Sequence, residues 1–153
     1  DAAYNLARWL LRTDDDAEDV VQEAFLRAFR FFDGFRGENS RSWILTIVRN
    51  SCYTWLRQHR PNDVARDPDE EIRDEDHASN PERIVERLQD EQILSKALER
   101  LPAEFREAII LRELEGFSYK EIAELAHVPL GTVMSRLARA RRQLRELITQ
   151  GKE

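Results

Sequence analysis

Apolar residues along this chain recur mostly at intervals of three and four, the period of a helix with one buried side, and strict alternation is absent. In "DDDAEDVVQEAFLRAFRFF", the residues Ala17, Val20, Val21, Ala24, Phe25, Ala28 and Phe32 make one such stripe. The spacing predicts a helix packed along it, with Asp15 and Glu18 placed as its starting cap. Its other side carries Asp19, Gln22, Glu23, Leu26 and Arg30 at three- and four-residue steps. A polar face of that kind is ordinarily just solvated; with a leucine in it, it also suits a partner. In "FRGENSRSWILTIVRNSCYTWLRQHR", Ile44, Leu45, Ile47, Val48, Cys52, Trp55 and Leu56 supply a second buried side, and Thr46, Arg49, Asn50, Tyr53, Arg57 and Arg60 line the other.

The last third parses into three helices. Pro102 suits a first helical position, where a missing N–H costs nothing. Gly116 can take the left-handed conformation that ends that helix. Ser118 and Glu121 then form a capping box, with Phe117 and Ile122 as its hydrophobic staple. A short helix over 119–126 follows, and His127-Val128-Pro129 turns into a longer third helix. Val133, Leu137, Ala140, Leu144 and Leu147 give that helix its core stripe, while Thr132, Ser135, Arg136, Arg139 and Arg142 or Gln143 fall on another side. A short helix, a tight turn and a basic helix make a helix-turn-helix.

Charge divides the chain further. The formal net charge is -6 over 153 residues. Residues 1–60 balance nine Lys/Arg against nine Asp/Glu, residues 61–95 hold four against twelve, and residues 96–153 hold eleven against nine. The acidic middle contains three prolines before residue 84 and little apolar material, the composition of a linker. The expectation is an all-α fold: a helical domain over 1–60, an acidic linker over 61–92, and a helical domain with the helix-turn-helix over 93–153. At this length neither domain would have a large core. One cysteine, Cys52, permits no internal disulfide, and no apolar run approaches a membrane span, so a cytoplasmic protein without membrane insertion is expected. The chain opens on "DAAYNLARWLL" and its only methionine is Met134, so the natural start is expected upstream.

Two stripes carry candidate chemistry. The basic helix offers hydroxyls and guanidiniums near its N-terminus, where recognition helices meet base edges and phosphates. No acidic residue lies between Glu38 and Asp63, so Arg49, Arg57 and Arg60 can track phosphates, Tyr53 can stack a base and Asn50 can read an edge. Tyr53 can equally pack on its own domain. A metalloenzyme built from Asp14, Asp15, Asp16, Glu18 and Asp19 with His59, His77 and His127 lacks ligand spacing, and those acids suit a helix N-terminus. Phosphate-cradling glycine loops and nucleophile motifs are missing as well, so neither catalysis, a metal nor a cofactor is expected.

"DAEDVVQEAFLRAF", "FRGENSRSWILTIVRNSCYTWLR" and "LPAEFREAIILRELEGFSYKEIAELAHVPLGTVMSRLARAR" resemble regions 2 and 4 of the extracytoplasmic-function (ECF) sigma factors of bacterial RNA polymerase. The resemblance implies an alternative sigma factor, with core polymerase and promoter DNA as partners. It adds an anti-sigma protein, since such proteins often hold family members inactive. Asp19, Gln22, Glu23, Leu26 and Arg30 would dock on polymerase. Arg49, Asn50, Tyr53, Arg57 and Arg60 would meet the melted minus-10 element, and Thr132, Ser135, Arg136, Arg139 and Arg142 the minus-35 element. The linker would thread the polymerase cleft. Met134 stands where many members have a basic residue, and "GENSRSW" is one residue shorter than the commoner family loop. The competing reading is a helix-turn-helix activator that does not replace the sigma factor; its usual phosphoacceptor α/β domain is absent from this sequence.

Overall fold

The structure, a computed structural model, describes residues 1–31, 40–62 and 86–152, with side chains from Glu91 to Gly151 in the last of these. The described elements are all helical. Phe32, residues 37–39 of the shortened loop, His77 and the acidic stretch over 63–85 lie outside the described residues.

Helix α1 (Ala2–Leu11) is capped by the Asp1 carboxylate, which accepts from the Ala3 N–H at 3.1 Å. It ends at Arg12, whose φ of 74° is left-handed. That conformation is costly for a side chain with a Cβ. Arg12 Nη2 donates to the Glu99 carbonyl at 2.8 Å, a tie that holds the corner in place.

Helix α2 (Asp14–Arg30) starts earlier than the sequence predicts: Thr13, not the Asp15–Glu18 pair, is its cap. The Thr13 hydroxyl oxygen accepts from the Asp16 N–H at 3.3 Å, and Asp14, Asp15 and Asp16 fill the first turn, where the helix dipole favours carboxylates. Ala17, Val20, Val21, Ala24 and Ala28 are buried as expected. Phe25 is not: it lies on the flank of the stripe, beyond Val21, and is 42% exposed. Helix α3 (Ser40–His59) buries Leu45, Val48, Cys52 and Leu56 against α1 and α2, with Ile44, Ile47 and Trp55 partly covered.

Helix α4 (Glu86–Arg100) begins inside the stretch expected to be linker. Pro102 is the cap of α5 (Ala103–Ile109) rather than its first residue, because its ψ of 146° is still extended. A π-turn over Ile110–Leu114 continues α5. Gly116, at φ 72°, lets the chain reverse so that the Phe117 N–H reaches the Leu111 carbonyl at 3.0 Å. The capping box forms as expected: Ser118 Oγ accepts from the Glu121 N–H at 3.1 Å and Glu121 Oε1 from the Ser118 N–H at 3.0 Å. Phe117 and Ile122, the staple pair, are both buried. Helix α6 (Tyr119–Ala126) ends at His127, left-handed at φ 55°, and α7 (Leu130–Lys152) follows after three residues. Val133, Leu137, Ala140 and Leu147 of α7 are buried, and Leu144 packs against them.

The two groups of helices are not beads on a string. Helix α1 packs on α5 and the π-turn, and α3 packs on α6, so one continuous apolar cluster runs through both groups. Arg106 of α5 sits at the seam with 0% exposure. Its Nη2 donates to the Leu10 carbonyl at 3.1 Å, and its Nη1 to the carbonyls of Leu101 (2.9 Å) and Glu99 (3.2 Å). A buried guanidinium is tolerated where carbonyls take its protons. Here they lie at the ends of α1 and α4, where helix carbonyls have no partner of their own and carry partial negative charge.

Candidate nucleic-acid interface

The basic helix α7 lays its arginines out as its period requires. Burying Val133, Leu137 and Ala140 turns Ser135, Arg139 and Arg142 outward, and all three are exposed. Thr132 is half-buried. Arg136 is committed further: its Nη2 lies 3.5 Å from Glu104 Oε2 of α5 and it is largely covered. Of the pair left open by the sequence, Arg142 is exposed and Gln143 is buried, since Gln143 follows Ala140 by three residues and falls on the core stripe. Met134 is 52% exposed on the same outer surface. Arg141 reaches back to Glu113, with Nη2–Oε1 at 2.8 Å, which fixes the flank of this face.

On α2, Asp19, Gln22, Glu23, Leu26 and Arg30 are all exposed. Leu26 is 66% open and Phe29 83%, so the face is more apolar than its sequence suggested. Within it, Glu23 pairs with Arg27 one turn on, at 3.6 Å.

The α3 stripe is split. Asn50 and Arg57 are exposed and Thr46 half-buried. Tyr53, expected on the open side, is 3% exposed. Helix α3 is covered on two sides, by the α1–α2 layer and by the α5–α6 side, and Tyr53 faces the second cover. Its hydroxyl donates to Glu107 Oε2 at 2.9 Å. Arg49 lies over the Tyr53 ring at 4.3 Å and pairs with Glu107, Nε–Oε1 at 2.5 Å and Nη2–Oε2 at 3.5 Å. Burial alone would lower the Arg49 pKa, but the Glu107 charge and hydrogen bond more than reverse this and hold it above its ordinary value. Burial and then the Glu107 charge push the Tyr53 hydroxyl well above its ordinary value, so it stays a neutral donor. Arg60 is drawn inward too: its Nη1 donates to the Leu11 carbonyl at 2.5 Å, Asp16 is 3.8 Å away, and its guanidinium lies over Trp55 at 5.2 Å. At the rim of the same seam, Arg41 Nη2 meets Glu115 Oε2 at 3.3 Å and stacks on Phe117 at 4.4 Å, while Asn5 reaches Glu115 Oε1 at 3.3 Å.

Glu107, Arg106 and Glu115 were not picked out by the sequence reading. A signal existed for the first two. In "AEFREAIIL" they stand between Phe105 and the apolar run Ala108 to Leu111, and charges set so tightly against apolar neighbours require buried partners. Sequence alone does not say which partners.

Among the described residues, no group of three or more His, Cys, Asp or Glu side chains could hold a metal ion, and no helix is long and apolar enough to cross a membrane.

The sigma-70 region 2 family model matches residues 1–61, and the sigma-70 region 4 model matches residues 91–144. The chain is 40% identical over 134 residues to the ECF RNA polymerase sigma-E factor of Escherichia coli K12, covering 82% of this chain and 70% of that protein. The chain belongs to the ECF sigma factors. It is also 36% identical to the ECF RNA polymerase sigma factor SigE of Mycolicibacterium smegmatis, a match that takes in 98% of this chain but 58% of that protein's length. Among solved structures, the fold is similar to the sigma factor RpoE of Bartonella quintana in complex with the anti-sigma factor NepR, with a TM-score of 0.72 and 34% identity over 97% of this chain and 90% of that one. A second likeness is CnrH in complex with the cytosolic domain of CnrY, with a TM-score of 0.69 and 25% identity over 97% of this chain and 80% of that one. In this ECF sigma factor, then, α1 to α3 belong to region 2, and α4 to α7 carry the region 4 match.

Proposed function

We propose that this chain is an alternative sigma factor that binds core RNA polymerase and directs promoter-specific initiation. What carries the reading is the pair of region 2 and region 4 matches, in order, on one chain. The α2 face with Asp19, Gln22, Glu23, Leu26 and Arg30 docks on polymerase; an exposed leucine in a charged rim is an economical anchor for a partner helix. The α7 face with Thr132, Ser135, Arg136, Arg139 and Arg142 reads minus-35 duplex from the major groove, arginines being the commonest readers of guanine. The α3 stripe with Arg49, Asn50, Tyr53, Arg57 and Arg60 meets the melted minus-10 strand. The protein supplies recognition and opening, and the polymerase the chemistry; no cofactor enters. An anti-sigma protein is a further partner, a reading supported by the solved relative from Bartonella quintana, whose complex contains one. The cytoplasm, where polymerase works, is the compartment that fits.

Run-off transcription with purified core polymerase tests this. The expected result is a transcript starting at a fixed distance from a minus-35/minus-10 pair, from core that is silent without the added chain. A helix-turn-helix activator would instead bind the DNA, leave core silent, and stimulate only polymerase already holding another sigma factor.

A further inference from the structure

The two proposed DNA-reading stripes of this chain are closed to different degrees. On α7, Ser135, Arg139 and Arg142 face solvent, and Arg136 is tied to Glu104 of α5. On α3, Arg49 and Tyr53 are closed over by α5, and the group that meets them is a carboxylate with 2% exposure. We infer that Glu107 is an internal stand-in for nucleic acid, holding the place on α3 that a strand phosphate would take. The closed chain therefore binds duplex through α7 but not melted strand through α3.

The chemistry of the contact supports a stand-in. Carboxylate and phosphate present the same pair of anionic oxygens to an arginine fork, and Arg49 meets Glu107 through both Nε and Nη2. The Tyr53 hydroxyl donates to the second oxygen. With a guanidinium over its ring and only 3% of its surface open, Tyr53 has no face left on which a base could stack. Asn50 and Arg57 remain exposed beside the latch, so the stripe is half covered. The closure is also of a kind that can be undone. Around the latch are polar contacts that water can replace: the Arg41–Glu115 ion pair at the rim, and the hydrogen bond that the Asn5 amide donates to the same carboxylate. The seam also holds apolar core, but its charged contacts lose less on opening than apolar contacts of equal area, because each separated charge regains its hydration.

The inference rests on the proposed role of α3 in strand reading, and the test separates the two. The probe is a mixed-sequence single-stranded deoxyoligonucleotide of about fifteen nucleotides, enough for one such groove. The same sequence as duplex serves as the α7 control. Dyes on Gln58→Cys and Thr149→Cys of the full chain report the separation of the two helix groups. Glu107→Gln keeps the size of the side chain and removes its charge, and should lengthen the dye separation. If nine-tenths of the chain is closed at the outset, strand affinity should rise about tenfold, with duplex affinity changed less than about twofold. Glu124→Gln, an exposed carboxylate, controls for net charge. Arg41→Glu is the second variant, in case Glu107→Gln folds poorly. It sets like charges at the rim and makes the protein more acidic, yet it should also raise strand affinity, which bulk charge alone predicts in the wrong direction. Separated dyes with unchanged strand affinity would remove α3 as a strand reader and the inference with it. Dyes still close in both variants, with strand affinity unchanged, would overturn the latch and leave the strand-reading role standing.

Discussion

At the residue scale, burial decides the behaviour of groups that look reactive on paper. Cys52 is enclosed by α1, α2 and α3, and desolvation, with the nearby Glu107 charge, pushes its thiol from 9.0 up to about 12. A neutral, enclosed thiol is a poor nucleophile. Iodoacetamide at pH 8 should label the denatured chain fully and the native chain at least tenfold more slowly, as judged by mass spectrometry. The shift has a second consequence. Below pH 9 the thiol is protonated in both folded and unfolded chains, so it makes stability no steeper in pH. Above it the unfolded chain loses the proton while the folded chain keeps it, so stability falls as pH rises toward 12. Tyr53, also shifted upward, adds to the same slope. Thermal melts from pH 8 to 11 should fall, and Cys52→Ala should flatten part of the decline. The arginines of α7 separate by the same criterion. Arg142 is exposed, whereas Arg136 is tied to Glu104. Arg142→Ala should weaken minus-35 duplex binding with the melting temperature unchanged, by about 1–3 kcal/mol if it contacts a base. A loss in binding equal for all sequences would assign it to phosphate instead.

Elements were legible where their signals were local. The capping box, the Gly116 reversal and the bounds of α6 follow from residues within one turn of each other, and each stands as the sequence indicated. Ser118→Ala removes the oxygen that takes the Glu121 N–H and should cost about 1 kcal/mol, seen as an earlier denaturant midpoint with unchanged slope. The cap of α2 was misread because two acidic residues at capping spacing compete with Thr13, and only backbone geometry separates them. Phe25 was misread because a helical stripe has flanks, and a flank is buried only if a neighbour happens to cover it. The α2 face is the cleanest element to test. Leu26→Arg adds a charge where the side chain already meets water, so helicity and melting should match the parent while competition for core polymerase is lost. Unimpaired competition would place docking elsewhere.

At the scale of the whole molecule, what escaped the sequence was everything that crosses between the two groups of helices. Hydrophobic period reports that a side chain is covered, not by what. Tyr53 could be placed on the arginine side of α3, yet nothing near it in sequence announces Glu107, fifty-four positions away. The fold class and the order of the helices were readable because each helix carries its own pattern. The state of the proposed sites was not, because it depends on which helix lies across them.

Arg106 has one more consequence. Its three carbonyl partners come from both sides of the seam, so neither side alone can satisfy it, and each side without the other would present water with part of a core. Such surfaces are complementary whether or not a peptide bond joins them. Separately produced fragments 1–62 and 86–153 should therefore find each other in a test tube, giving a one-to-one complex by sedimentation and a gain in helical signal beyond the sum of the parts. Arg106→Ala should abolish the pairing, and two fragments indifferent to each other would mean the seam holds only because the chain is continuous. A promoter-recognition protein that reassembles from halves could be switched by whatever brings the halves into one place, a handle for building transcription that answers to proximity.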